Sequence, residues 1–159
     1  MKLMGLCLLD KSFGIAFAIL SEFDIENRSA EILTAKCPSC KATITSYKIE
    51  ACPRCNVLPK GEELWTFSLA RNVSFMDNTA ELRHPNISSA TAQSMLGCKP
   101  HEFNALSMQE RTQLKRRYYL ERFKIYFKVC WSDFKKQQIV HVIAMELADL
   151  QELETVNDL

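Results

Sequence analysis

Two Cys-x-x-Cys knuckles, Cys37-Pro38-Ser39-Cys40 and Cys52-Pro53-Arg54-Cys55, constrain this chain more than any other feature. Each turns two sulfurs to one side, and the intervening Lys41–Ala51 is long enough for a hairpin. Two such turns facing one another offer four thiolates in a tetrahedron. That is the closed shell of a structural Zn²⁺, with no open position for a reacting water. A redox Cys-x-x-Cys stands singly at a helix start, so the doubling has no redox logic. Cys37, Cys40, Cys52 and Cys55 are therefore expected to ligate a structural zinc. The insertion should order only when loaded, because the ligands must be deprotonated.

The other cysteines, Cys7, Cys98 and Cys130, stand alone, and an odd total of seven does not suit a secreted disulfide framework. Lys2 and the apolar run Leu3–Leu9 start like a secretion signal. Asp10 and Lys11 interrupt it, and no small-residue cleavage site follows. No run of 18 apolar residues is present, so no membrane-spanning helix is expected. A chain of 159 residues, 47% hydrophobic and 25% charged, carries one real core and is not disordered.

The net charge of +1 names no partner, but its distribution is uneven. Residues 99–140 hold ten basic and four acidic side chains, while 141–159 hold five acidic and no basic ones. A basic stretch thus precedes an acidic tail.

Alternation marks the strands. Ile15, Phe17 and Ile19 alternate with Gly14, Ala16 and Ala18, so Phe13–Glu26 reads as a long strand with a small-residue face open to close approach. Glu26–Ser29 reads as a turn and Ala30–Ala35 as a return strand, followed by the cysteine insertion. Leu64–Met76 reads as one strand, with Trp65, Phe67 and Leu69 at period two, and Asp77-Asn78 as the hairpin tip before Thr79–Arg83. Ser88–Leu96 is helix-compatible and ends at Gly97, a C-cap residue. Ser107-Met108-Gln109-Glu110 is a capping box, predicting a helix from Met108 to about Leu120. Phe123–Trp131 alternates again, Asp133–Gln137 is a polar loop, and Gln138–Met145 is β-branched. The acidic segment Ala148–Leu159 should be helical, with Leu150, Leu153 and Val156 on a weak stripe.

Three strands, a helix, two closing strands and a terminal helix give a mainly β chain with helices. The arrangement is that of a five-stranded OB-fold barrel with an inserted four-cysteine zinc ribbon and a C-terminal helix. The barrel is expected over 12–149, the ribbon over 37–55 and the acidic helix or tail over 150–159.

Several motifs carry a family resemblance. Met95-Leu96-Gly97-Cys98, His101-Glu102-Phe103, and Leu120-Glu121-Arg122 with Lys124-Ile125-Tyr126 resemble the C-terminal OB fold of the meiosis-specific OB-domain (MEIOB) family. That family is paralogous to the large subunit of replication protein A. Ser12-Phe13-Gly14-Ile15 and the paired knuckles fall where that fold has its first strand and zinc ribbon. The resemblance implies single-stranded DNA binding in meiotic homologous recombination and DNA repair, in the nucleus and on chromosomes. It also implies an OB-like spermatogenesis-associated partner and replication protein A, and a single-strand 3′–5′ exonuclease is attributed to the family. The family carries further OB folds ahead of this one, whereas Met1 here stands almost directly before the first strand. A protein-docking module that leaves DNA to other folds, or the exonuclease attributed to the family, is the alternative reading.

Single-strand binding needs cations along a groove and aromatic faces for bases. The loop between the closing strands supplies Phe134, Lys135 and Lys136, and the outward face of the strand before it supplies Lys124, Tyr126 and Lys128. Arg71 and Arg83, near the preceding hairpin, are expected to extend the groove. Trp65, Phe67, Phe123, Phe127 and Trp131 are assigned to the core. Lys115-Arg116-Arg117 is assigned to solvent or a partner, since a helix at that place plugs the barrel bottom. The acidic tail is unsuited to phosphate contact and suited to partner docking. No catalytic residue is assigned: His84, His101 and His141 are scattered, and Glu81, Glu102, Glu110 and Glu121 form no evident cluster.

Overall fold

The computed structural model describes residues 11–26, 31–45, 51–57 and 64–157. The apolar run Leu3–Leu9 and most of the expected Glu26–Ser29 turn lie outside them. Among the described residues no helix is long and apolar enough to cross a membrane.

The strands are β1 (Lys11–Phe23), β2 (Leu33–Lys36), β3 (Thr43–Ile44), β4 (Trp65–Phe67), β5 (Val73–Met76), β6 (Glu81–Arg83) and β7 (Asn86–Ile87), then β8 (Arg122–Ser132) and β9 (Gln137–Leu147). Between β7 and β8 lie α1 (Ser89–Leu96), α2 (Pro100–Ala105) and α3 (Met108–Tyr118), and α4 (Leu150–Asn157) follows β9. The main sheet runs β6-β5-β1-β8-β9-β7, and a small sheet runs β3-β2-β4. The outermost strands of the main sheet, β6 and β7, belong to one stretch of chain with only His84 and Pro85 between them. That stretch pairs with β5 at one end and in parallel with β9 at the other, which curls the sheet into the OB barrel.

β1 is the spine. It pairs with β8 from Lys11 opposite Cys130 to Ile19 opposite Arg122, and with β5 beyond that. A register shift between Leu20 and Glu22 marks a bulge in the pairing with β5, which bends the strand there. The inward face carries Ala16, Ala18 and Leu20 against Ile125 and Phe123. Gly14 shows why small residues are needed there: a Cβ at this position would lie 2.6 Å from Phe127 Cζ. Gly14→Ala is therefore expected to cost about 1–3 kcal/mol by overpacking. Phe127→Leu in the same chain should recover part of that loss, which urea unfolding of the single and double variants would measure.

Leu64–Met76 is not one strand. The chain turns through Ala70–Asn72 in a single 3₁₀ turn, the Asn72 N–H donating to Leu69 O at 2.8 Å. This hands the chain from the small sheet, where β4 pairs with β2, to the main sheet, where β5 pairs with β1. Both halves bury apolar side chains, so the alternation runs through the break unmarked.

The helices follow their caps. Ser88 Oγ accepts the Thr91 N–H, and α1 stops where Gly97 adopts φ 70°. At α3, Ser107 Oγ accepts the Glu110 N–H while Glu110 Oε2 accepts the Ser107 N–H at 2.7 Å, the expected capping box. The short helix α2 was not foreseen. Pro100 at its first position and Glu102 reaching back to the Lys99 N–H at 2.6 Å are its signal. Trp65, Phe67, Phe123 and Phe127 are buried as expected, but Trp131 is 53% exposed. It lies one position past Cys130, which among the described residues is the last of β8 to stand opposite β1.

Candidate metal centre and nucleic-acid interface

The two knuckles are built alike. The Cys37 N–H donates to Ala42 O at 2.9 Å and the Lys41 N–H to Cys37 O at 3.0 Å. In the second knuckle the Cys52 N–H donates to Val57 O at 2.9 Å and the Asn56 N–H to Cys52 O at 2.8 Å. The residue after each second cysteine is left-handed, Lys41 at φ 60° and Asn56 at φ 61°. This turn curls the backbone around the sulfurs.

All four Sγ atoms lie within 4.8 Å of one another. Cys37 and Cys55 Sγ stand 3.5 Å apart and Cys40 and Cys52 Sγ 3.6 Å apart. A disulfide needs about 2.05 Å, and all four are free thiols. Sulfurs placed about 2.3 Å from a common centre form a tetrahedron with edges of about 3.8 Å. The cluster therefore fits a metal ion with four sulfur ligands. Backbone amides prepare it: the Cys40 N–H, helped by that of Ser39, draws the Cys37 thiol down to about 6. The Cys55 and Arg54 N–H groups lower Cys52 in the same way. At Cys40 the Ala42 N–H also favours the thiolate, but burial and the neighbouring Cys55 and Cys52 sulfurs outweigh it and push the thiol up to about 11. Four thiolates this close need a cation between them.

The second candidate site lies on the outward face of the main sheet. Register places Phe13, Ile15, Phe17 and Ile19 of β1 opposite Lys128, Tyr126, Lys124 and Arg122 of β8, so all eight share that face. Lys124, Tyr126 and Lys128 thus fall on one surface as predicted, each half-buried among neighbours. Two already have partners. Lys124 Nζ stands 3.0 Å from Glu152 Oε1, and the Tyr126 hydroxyl donates to Glu146 Oε1 at 2.8 Å. At the β8–β9 tip Phe134 is 96% exposed, Lys135 and Lys136 are exposed, and Lys136 adopts φ 52°. Exposed Trp131 flanks this tip and was missed as a surface aromatic, because it continues the inward series of β8.

Arg71 and Arg83 are not brought to the tip. Arg83 lies opposite Ser74, itself opposite Glu22, eleven residues along β1 from Lys11. At about 3.3 Å per residue that places Arg83 roughly 36 Å from the tip end of the sheet. Its guanidinium is engaged by Glu81 at 2.7 Å. Arg71 sits exposed in the 3₁₀ turn that leads into β5. On α3, Lys115 pairs with Glu26 at 3.1 Å, while Arg116 and Arg117 are exposed near the helix C-terminus, where cations offset the dipole.

Among the described residues no three carboxylates or histidines gather as a metal site. Glu81 holds Arg83, while Glu102 and Glu110 cap α2 and α3. Glu22 accepts from Ser74 Oγ at 2.8 Å and sits 3.2 Å from His84 Nε2.

A curled six-stranded sheet whose two end strands, β6 and β7, are consecutive in the chain, with a four-cysteine insertion after its first strand, is a barrel-like OB fold of the kind found in replication protein A. The chain is similar in fold to a replication protein A heterotrimer bound to single-stranded DNA, with a TM-score of 0.60, 12% identity, and coverage of 93% of this chain and 35% of that one. It is likewise similar to yeast replication protein A bound to single-stranded DNA, with a TM-score of 0.59, 14% identity, and coverage of 99% and 89%. In sequence the chain is 28% identical over 142 residues to the meiosis-specific with OB domain-containing protein of Rattus norvegicus, covering 89% of this chain. It is also 28% identical over 141 residues to the protein of that name from Macaca fascicularis, covering 88% of this chain. The resemblance read from the motifs thus extends over most of the sequence. The chain spans 30% of the length of these relatives. No family model matches the chain.

Proposed function

We propose that this chain is a single-stranded-DNA-binding OB domain of meiotic homologous recombination and double-strand-break repair. In this reading it acts in the nucleus on chromosomes, with replication protein A and an OB-like partner. The barrel over 12–149 carries the DNA face, the ribbon over 37–55 holds a structural Zn²⁺ on Cys37, Cys40, Cys52 and Cys55, and 150–159 is an acidic appendage. The observation that carries the reading is the β8–β9 tip, where exposed Phe134 and Trp131 flank Lys135 and Lys136. Stacking faces beside phosphate-pairing cations are what single strands bind. From the tip, Lys124, Tyr126 and Lys128 extend the path along the outward face of β8, the face opposite to that of Trp131, and Arg71 and Arg83 would meet only a strand long enough to run the length of β1. No residue is assigned a catalytic role.

Lys135→Ala with Lys136→Ala should weaken binding of a labelled single strand several-fold. The slope of log affinity against log salt should flatten by about 1.4, since each lost phosphate contact accounts for about 0.7. Fluorescence anisotropy at several salt concentrations measures both. Binding with an unchanged slope would remove the tip from the interface. A second reading, docking of a protein partner, is favoured by exposed Leu147 and Leu150 at the start of the tail. Absence of any DNA binding at low salt would leave that reading standing.

A further inference from the structure

We propose that α4 competes with the nucleic acid: its Glu152 carboxylate stands where a phosphate would pair with Lys124, so tail and single strand exclude one another there. The inference rests on the DNA-binding reading and adds its regulation. The backbone fixes where the tail goes. The Ala148 N–H donates to Arg122 O at 2.9 Å, carrying the β8–β9 pairing one residue past Leu147. Asp149 then starts the helix, its Oδ1 accepting the Gln151 N–H at 3.1 Å and its backbone oxygen the Leu153 N–H at 3.2 Å. The first turn of α4 thereby delivers Glu152 to the outward face of β8.

Its effect on that face is specific. Lys124 pairs with Glu152 and its side chain is left only 18% exposed. Its ammonium lies 5.6 Å from the Tyr126 ring centre, and the Tyr126 hydroxyl is held by Glu146. A cation and an aromatic of the strand face are thus both occupied by carboxylates from the acidic end of the chain. At the tip, by contrast, Lys135 and Lys136 take part in no ion pair among the described residues. The bond to Glu152 also raises the Lys124 pKa, so the cation both ligands want is kept charged.

The occupant is easily displaced. Helix α4 has eight residues, too few to persist without packing, and its Leu150 is 76% exposed. An ion pair of this kind contributes little, so a strand that first engages the tip can take Lys124 at small cost. The tail then acts as a threshold, passing strands that reach both the tip and the β8 face and rejecting those that reach only one.

The test uses the full chain, a labelled oligothymidylate and three proteins: wild type, Glu152→Gln and Glu154→Gln. Glu154 is exposed on the same helix, so its substitution removes an equal charge elsewhere on α4. Glu152→Gln should bind about two- to fivefold tighter, the range an ion pair of this exposure allows, and Glu154→Gln should bind like wild type. In hydrogen exchange, the α4 amides of the wild type should lose protection when DNA is added. Equal tightening by both substitutions would overturn the competition in favour of a general charge effect. Wild-type binding with no change in Glu152→Gln, or with α4 protection kept, would overturn the inference and leave the DNA-binding reading intact. No binding by any of the three would overturn both.

Discussion

Removing the metal from the cysteine cluster is expected to melt both knuckles and the small sheet they belong to. Cys37 and Cys52 are fully enclosed in the main apolar cluster, together with Ala35, Ile44 and Trp65. The thiolates are therefore part of the packing under β2, β3 and β4. A structural metal ion on four sulfurs contributes folding energy to the segment that holds it, about 10–16 kcal/mol of apparent binding energy where the ion is zinc. Cys52→Ser should abolish metal binding at the cluster and strip exchange protection from β2 and β3. The β1–β8–β9 ladder, which shares no hydrogen bonds with the small sheet, should keep much of its own. Metal content by emission spectrometry and exchange mapping after chelation check this together. A chain that lost the metal and kept β3 protected would show the site to be decoration.

Phe103→Ala should be the most damaging single change outside the cluster, at about 3–5 kcal/mol. Phe103 is fully buried. Its ring meets Phe67 edge to face at 5.6 Å, and the Arg111 guanidinium lies 4.4 Å from its centre. Arg111 Nη2 also donates to Phe103 O at 3.3 Å. One side chain thus joins α2 to β4 and, through Arg111, to α3. Truncation opens a cavity and removes the surface over which the guanidinium lies, so the loss exceeds the transfer energy of the ring. Phe103→Leu should restore a good part of it, as urea unfolding would show.

What the sequence made legible, and what it hid, follows from the range of each interaction. The knuckles could be read because both halves of the site are local and their spacing sets the geometry. The α3 capping box was equally plain, since Ser107 and Glu110 satisfy each other within one turn. Gly14 signalled a close approach, though only the register of β1 against β8 identifies Phe127 as the neighbour. The change of sheets at Ala70–Asn72 left no mark, because a buried residue looks the same in either sheet. Trp131 was misplaced for a related reason: alternation assigns a residue to a face but does not say how fully that position is buried. The occupation of Lys124 by Glu152 depends on how a tail folds back across twenty-eight positions, which no periodic pattern encodes.

The order in which the barrel is made has a cost during synthesis. Strand β1 is the spine of the main sheet, yet Lys11 waits for Cys130 and Ile19 for Arg122, both more than a hundred residues downstream. At about 5–20 residues per second, roughly five to twenty seconds separate the emergence of β1 from that of its partner. Through that interval an extended strand bearing Phe13, Ile15, Phe17 and Ile19 has an open edge on its β8 side, the kind of edge other chains pair with. The β5–β6 hairpin emerges sooner, but it pairs only with the Ile19–Phe23 end of β1. Synonymous codons that slow residues 90–120 prolong that interval, and are expected to lower the soluble yield without altering the finished protein.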